Sequence, residues 1–219
     1  MQLYGYWRST AAYRVRIACG LKGLSPTLVP VHLVRDGGEQ RAAAYLAVNP
    51  LGLVPTLVVD GRPLTQSLAI IEWLDEQYPA PPLLPAGAWA RAQAREIAQL
   101  IACDIHPVDN LRVLQYLGGT LGASEEQTRA WYRHWLVTGL EALESMLAAN
   151  PSRGHFCCGD TPTVADLCLV PQLYNARRFE IDLASCPTLV AIDATCASLA
   201  AFQQAAPAAQ PDAPDRVVT

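Results

Sequence analysis

Three short segments in the first seventy residues carry side chains suited to holding an anion. Arg8-Ser9-Thr10 stands where the strand-like run Leu3-Tyr4-Gly5-Tyr6-Trp7 gives way to a helical one, so Ser9 falls at a helix N-terminus. A hydroxyl there ordinarily caps the helix by accepting a backbone N–H. The same place has unpaired N–H groups and the positive end of the helix dipole. Together these stabilise a thiolate or another anion, to which the hydroxyl can donate a further bond. Leu53-Val54-Pro55-Thr56 puts a proline at the first residue of a strand, where no ladder bond is lost. Such a proline either marks a boundary in trans or, in cis, turns the Val54 N–H and C=O outward to an extended peptide. Gln66-Ser67 opens the next helix, where Ser67 is either a cap or, with Gln66, a donor pair for a carboxylate. The three segments together describe a peptide-sized anionic ligand.

A second group lies mostly further along the chain. Arg8, Arg112 and Arg178 are, singly, the kind of surface arginine that is solvated or weakly paired. As a set they supply the guanidinium forks needed to hold two carboxylates in fixed orientation. Arg177 adjoins Arg178 and on a helix points about a quarter-turn or more away, so one of the two is expected to face a ligand. His106, beside Pro107, is either a packed histidine or a hydrogen-bonding group at a site. Thr163-Val164-Ala165-Asp166 has the spacing of a capping box ahead of an apolar helix, a structural role. Trp131 and Trp135, four apart, read as helix packing.

The chain that must position these residues has 219 residues, 51% hydrophobic and 16% charged, which is enough for a real core and excludes a disordered or highly charged scaffold. A net charge of −4 gives no footprint for nucleic acid or an anionic bilayer, and Lys22 is the only lysine among sixteen basic residues. No apolar run reaches the roughly eighteen residues that span a bilayer, and no leader pattern precedes the first strand, so a cytoplasmic protein with no membrane partner is expected. Seven cysteines without framework spacing fit that compartment. With no CxxC and the four histidines far apart, no metal site is expected.

Apolar runs and helical periodicities alternate to residue 80. A strand comes first, then a helix over about Thr10–Lys22 stopped by Gly23, and a strand over Thr27–Leu33. A short helix follows over Gln40–Leu46, then a strand over Pro55–Val59. Asp60-Gly61 supplies a type I′ hairpin to a fourth strand, and a helix over Gln66–Tyr78 closes the unit. This order predicts a small mixed sheet with helices on both faces, a thioredoxin-like α/β domain over residues 1–80. Four of the seventeen prolines fall within residues 78–85, marking a linker over 81–88. Beyond it only helical patterns occur, over about Ala90–Leu117, Glu125–Ala148, Val164–Phe179 and Thr188–Ala205. They predict an all-α domain over 89–206 and a poorly ordered tail over 207–219.

Arg8-Ser9-Thr10-Ala11-Ala12-Tyr13-Arg14-Val15-Arg16-Ile17-Ala18 resembles the segment that opens zeta-class glutathione transferases. Gln66-Ser67-Leu68-Ala69-Ile70-Ile71-Glu72 resembles that class's glutathione helix. The likeness continues through Asn49-Pro50 with Val54-Pro55-Thr56-Leu57, through Asp104-Ile105-His106-Pro107 with Asn110, and through Leu169-Val170-Pro171-Gln172 to Arg177-Arg178-Phe179. It covers both domains. The resemblance implies the glutathione transferase fold, glutathione as cofactor, a cytoplasmic homodimer and a small dicarboxylate substrate.

The activity it implies is isomerisation of maleylacetoacetate to fumarylacetoacetate in phenylalanine and tyrosine catabolism. The alternatives are maleylpyruvate isomerisation in gentisate-type degradation, conjugation of small α-halo acids, or a glutathione-fold scaffold without catalysis. Residue by residue, the resemblance implies that Ser9 stabilises the glutathione thiolate within a catalytic set of Arg8, Ser9 and Thr10. It assigns the cysteinyl backbone to Val54 and the γ-glutamyl group to Gln66 and Ser67. Gln40, His106 and Asn110 complete the glutathione contacts, and Arg8, Arg112 and Arg178 bind the substrate. Ala11 departs from the class, which usually has cysteine there, so the resemblance does not extend to chemistry needing that thiol. Thr10 replaces a usual serine and keeps the hydroxyl.

Overall fold

The structure, a computed structural model, describes residues 1–214. The chain divides into two compact units, one of Met1–Leu83 with the segment from Ala197 onward, the other of Leu84–Cys196.

The first unit is built on four strands, β1 (Gln2–Gly5), β2 (Thr27–Pro30), β3 (Thr56–Val59) and β4 (Arg62–Thr65), in the order β2-β1-β3-β4. β1 and β2 are parallel because α1 (Thr10–Leu21) crosses between them; β3 runs antiparallel to β1 and β4 antiparallel to β3. The β3–β4 hairpin turns at Asp60 (φ 49°) and Gly61 (φ 76°), the two left-handed residues of a type I′ turn. α2 (Ala43–Leu46) precedes β3, and α3 (Ser67–Gln77) follows β4. The register aligns Tyr4 with Thr56 and Thr56 with Thr65. One end of the sheet therefore gathers the exit of β1, the entry to β3 and the exit of β4.

α1 is buried nearly all round, from Ala12 to Cys19, because it packs against α3 and also against α9 (Ala200–Ala205). Gly20 lets the two backbones approach: a Cβ there would lie 3.2 Å from Ala201 Cβ and 3.3 Å from Ala201 Cα. The single lysine, Lys22, is spent on the fold. Its ammonium pairs with Asp75 of α3 and donates to Pro81 O, while Asp75 also accepts from Leu83 N–H at 2.8 Å, tying the end of α1 to the proline-rich segment.

The second unit is helical: α4 (Ala88–Gln99), α5 (Leu111–Gly119), α6 (Glu125–Ala149), α7 (Val164–Arg178) and α8 (Pro187–Ala197). The core helix is α7, buried from Val164 through Leu173. Thr163 and Asp166 form the expected box at its start. Trp131 and Trp135 pack edge to face at 5.7 Å, as their spacing indicated.

Three expectations change. The helix read over 90–117 is not continuous: α4 passes into a π-helical turn over Leu100–Ile105, and a turn over 106–110 separates it from α5. Pro107 has no N–H to continue the ladder, and Asn110 Oδ1 starts the next helix by accepting Arg112 N–H at 3.2 Å. The helix read over 188–205 breaks after Ala197, and α9 joins the first unit, where Tyr13 Oη donates to Phe202 O. The helical domain read to 206 thus gives way at Cys196. The tail read as poorly ordered from 207 is structured as far as it is described. Pro207–Ala209 form a 3₁₀ turn and Gln210 is buried, its Nε2 donating to Gln204 O and Ala206 O; residues 215–219 lie outside the described residues.

Candidate active site

At the end of the sheet where β1 exits, Ser9 is the N-cap of α1, its Oγ accepting Ala12 N–H at 3.2 Å. The cap and the functional reading are compatible. The oxygen accepts from the helix, and the hydroxyl's own proton is left to donate to an anion beside the positive end of α1. Thr10 is buried, so Ser9 is the more accessible of the two adjacent hydroxyls. Arg8 is half-buried with its guanidinium 5.3 Å from the Trp7 ring centre.

The Val54–Pro55 peptide is cis, and Val54 stands just ahead of the β3 ladder, which begins at Thr56. The loop before it is fixed from behind: Tyr45 Oη and Asn49 Nδ2 both donate to Leu53 O, at 2.6 and 2.7 Å. Gln66 caps α3 by backbone alone, with φ 70° and ψ 116°, a left-handed conformation rare for a residue with a side chain. Such strained positions cluster at ligand sites. Ser67 begins α3 with Oγ accepting from Arg14 Nη1 at 3.3 Å. Ser9, Val54, Gln66 and Ser67 therefore share one end of one sheet. Gln40 does not join them as an exposed ligand contact. It is 7% exposed and its Nε2 donates to Leu33 O, so what the structure shows it holding is its own loop.

In the second unit, the turn over 106–110 presents His106 and Asn110 together, His106 Nε2 lying 3.3 Å from Asn110 Nδ2. Trp131 Nε1 donates to Val108 O at 2.9 Å and pins the turn to α6. Arg112 is exposed on the first turn of α5. Arg177 and Arg178 diverge as helix geometry requires. Arg177 pairs with Asp193 at 2.7 Å, whereas the Arg178 guanidinium lies 4.3 Å from the Phe179 ring centre, and Phe179 stacks on Tyr132 at 3.7 Å.

Asp109, in the same turn, was not singled out from the sequence. Its carboxylate is buried without a hydrogen-bond partner, and burial pushes its pKa up to about 7. Arg14, Arg16 and Asp212 were also missed, since nothing in their local pattern says that a charged side chain will be buried or will reach across the unit. Among the described residues no cluster could hold a metal ion, and no helix is long and apolar enough to cross a membrane. All seven cysteines are free thiols.

Family models for the N-terminal and C-terminal domains of glutathione S-transferases match residues 3–82 and 126–205. The chain is 50% identical over 212 residues to a maleylpyruvate isomerase of a Ralstonia species, covering 97% of this chain and 99% of the relative. A maleylacetoacetate isomerase from Methylobacterium extorquens AM1, solved with malonate and glutathione bound, superposes with a TM-score of 0.94 at 43% identity, over 98% of this chain and all of the other. A maleylacetoacetate isomerase from Anaeromyxobacter dehalogenans 2CP-1, solved with dicarboxyethyl glutathione and citrate in its active site, gives 0.85 at 45% identity over 97% of each chain. This chain belongs to the glutathione S-transferase family, in its zeta-class branch of maleylacetoacetate and maleylpyruvate isomerases.

Proposed function

We propose that this protein is a glutathione-dependent cis–trans isomerase of maleyl dicarboxylates, acting in the cytoplasm as a homodimer. Maleylacetoacetate is the first substrate and maleylpyruvate the alternative. The observation that carries the reading is the gathering of Ser9, Val54 and Gln66-Ser67 at one sheet end, in a chain whose relatives bear both isomerase names. The donor set fits glutathione: a helix start with a strained glutamine and a serine for the γ-glutamyl carboxylate, a residue ahead of the β3 ladder for the cysteinyl backbone, and an N-terminal hydroxyl for the sulfur.

Bound glutathione supplies a thiol that adds reversibly to the conjugated cis double bond and so permits rotation about it. The chain's own part is to prepare and hold. Ser9 donates to the sulfur, and with the N-terminus of α1 favours the thiolate. Gln66, Ser67 and Val54 fix the tripeptide so that the sulfur meets the alkene without a search. Arg8, Arg112 and Arg178 are the forks assigned to the substrate's two carboxylates and to the negative charge that develops next to them. His106 and Asn110 act as hydrogen-bond partners, with no proton transfer assigned to the histidine.

The test is loss of the maleyl absorbance when purified protein is given maleylacetone or maleylpyruvate, each with and without glutathione. Turnover only with glutathione is expected, and the two rates rank the substrates. Absence of turnover on both, with glutathione binding intact by calorimetry, would overturn the isomerase reading.

A further inference from the structure

The four residues that link β1 to α1 are held from the far end of the chain. Within this link, Ser9 N–H returns to Tyr6 O at 2.9 Å. Trp7 N–H instead donates to Asp212 Oδ2 at 2.9 Å, across 205 residues of sequence. Trp7 O accepts from Arg16 Nη2 at 2.9 Å, and Arg16 Nη1 also reaches Tyr6 O at 3.4 Å. Arg16 is itself anchored, its Nε donating to Ala205 O at the end of α9 at 3.0 Å and its guanidinium lying 5.4 Å from the Tyr13 ring centre. Both peptide groups of Trp7 are therefore gripped, one by the last described turn of the chain and the other by an arginine tied to the last helix. Buried Gln210 closes that turn through Gln204 O and Ala206 O, which fixes where Asp212 can stand.

The gripped residue bears on the site. The Trp7 ring stands edge-on to Tyr6 at 5.7 Å and carries the Arg8 guanidinium, and Ser9 is two residues on. We propose that the segment from Pro207 to Asp212 is a positioning strap, in which Asp212, together with Arg16, fixes the Trp7 peptide and thereby the placement of Arg8 and Ser9 toward a dicarboxylate substrate. The bond from Trp7 N–H to a carboxylate is charge-assisted, stronger than a neutral loop contact. Its loss leaves the link free to shift, and a shift of about 1 Å at a positioning group can cost on the order of a hundredfold in rate. Asp212 and Arg16 touch no reacting atom in this scheme. They act through Trp7.

The proposal rests on the assignment of Arg8 and Ser9 made above, and its test separates the two. In the full-length protein, Asp212→Ala and Asp212→Asn are compared with wild type in kcat and KM for maleylacetone at saturating glutathione, in urea midpoint, and in hydrogen exchange of the Trp7 and Ser9 amides. The expected result for Asp212→Ala is a KM raised about five- to tenfold, from the loosened Arg8, and a lowered kcat, from the loosened Ser9, with faster exchange at Trp7 and Ser9 but not in the β3–β4 hairpin. Asp212→Asn, which keeps an acceptor oxygen, recovers most of each.

Wild-type KM and exchange in Asp212→Ala would overturn the strap, as would a defect that follows only the urea midpoint and is not recovered by Asn. If Asp212→Ala does not fold, Asp212→Glu carries the test, since its longer arm displaces the same bond: a raised KM supports the strap and an unchanged one overturns it. A wild-type protein without isomerase activity would sink the assignment instead, and the exchange measurement then still decides the strap.

Discussion

Arg14 Nη1 donates to Ser67 Oγ at 3.3 Å, joining the second turn of α1 to the first residue of α3 from inside the protein. The arginine is 1% exposed, so the serine's oxygen is oriented by a group that solvent does not reach. Replacing Arg14 with Ala removes that orientation and opens a cavity between the two helices. Stability should fall by about 3 kcal/mol in urea unfolding. Glutathione affinity, measured by calorimetry on the folded protein, should weaken about tenfold through one lost charge-supported contact at Ser67. Arg14→Lys should not restore it, because a point ammonium does not reproduce the planar fork. Wild-type glutathione affinity in Arg14→Ala would show that Ser67 needs no such support.

Ser9→Ala separates the cap from the chemistry. Losing the bond to Ala12 N–H costs about 1 kcal/mol of stability, an ordinary cap effect. Losing the donor to the sulfur should lower kcat by about a hundredfold, as removal of one preorganised donor does elsewhere, with KM for the maleyl substrate nearly unchanged. The ultraviolet absorbance of bound thiolate, followed against pH, should move to higher pH in the variant. An unchanged kcat would remove Ser9 from the mechanism.

The parts of the fold and of the site legible in the sequence are those whose chemistry is local. An N-cap hydroxyl, a proline at a strand entry, a hairpin Asp60-Gly61 and the box Thr163-x-x-Asp166 each declare themselves within four residues, and the structure has each of them. Arg16, Arg14 and Asp212 did not declare themselves, because their partners lie 10, 53 and 205 residues away. The break at His106–Asn110 was missed because the helical period continues on both sides of it, and only Pro107 and the Asn110 cap mark the interruption. Gln40 entered only through the family resemblance; its Nε2 turns inward to Leu33 O, seven residues back, a contact that no local pattern marks.

Asp109 should make stability depend on pH in a direction opposite to an ordinary salt-bridged carboxylate. Burial raises its pKa from 3.8 to about 7, so between those values the folded protein binds a proton that the unfolded chain has released. Folding is then favoured at low pH within the window, and the contribution is lost as pH rises through about 7. Nearby Tyr132, whose phenol burial also pushes up, shares the environment, and the Asp109 charge raises it further. Asp109→Asn cannot ionise. Its urea midpoint should gain on wild type between pH 5 and pH 8, by on the order of 2 kcal/mol in free energy. Parallel pH profiles for the two proteins would mean that Asp109 does not titrate in this window.

Asp166 tests whether a buried acid near the start of a core helix serves structure alone. It is fully buried, and its oxygens accept Cys157 N–H at 2.8 Å, Thr163 N–H at 2.8 Å and Thr163 O–H at 3.0 Å. Burial raises its pKa and these donors pull it back down, the signature of a carboxylate held for its acceptors. Asp166→Ala strands two backbone donors and a hydroxyl in the core of the second unit, at about 1–3 kcal/mol for each unpaired group. The variant should therefore unfold at a much lower urea midpoint or fail to accumulate, while the fraction that folds keeps wild-type kcat and KM. Asp166→Asn, which retains one acceptor but points an amide at the remaining donors, should fall between the two. A normal urea midpoint with lost turnover would instead place Asp166 in the chemistry, and the capping role would have to be given up.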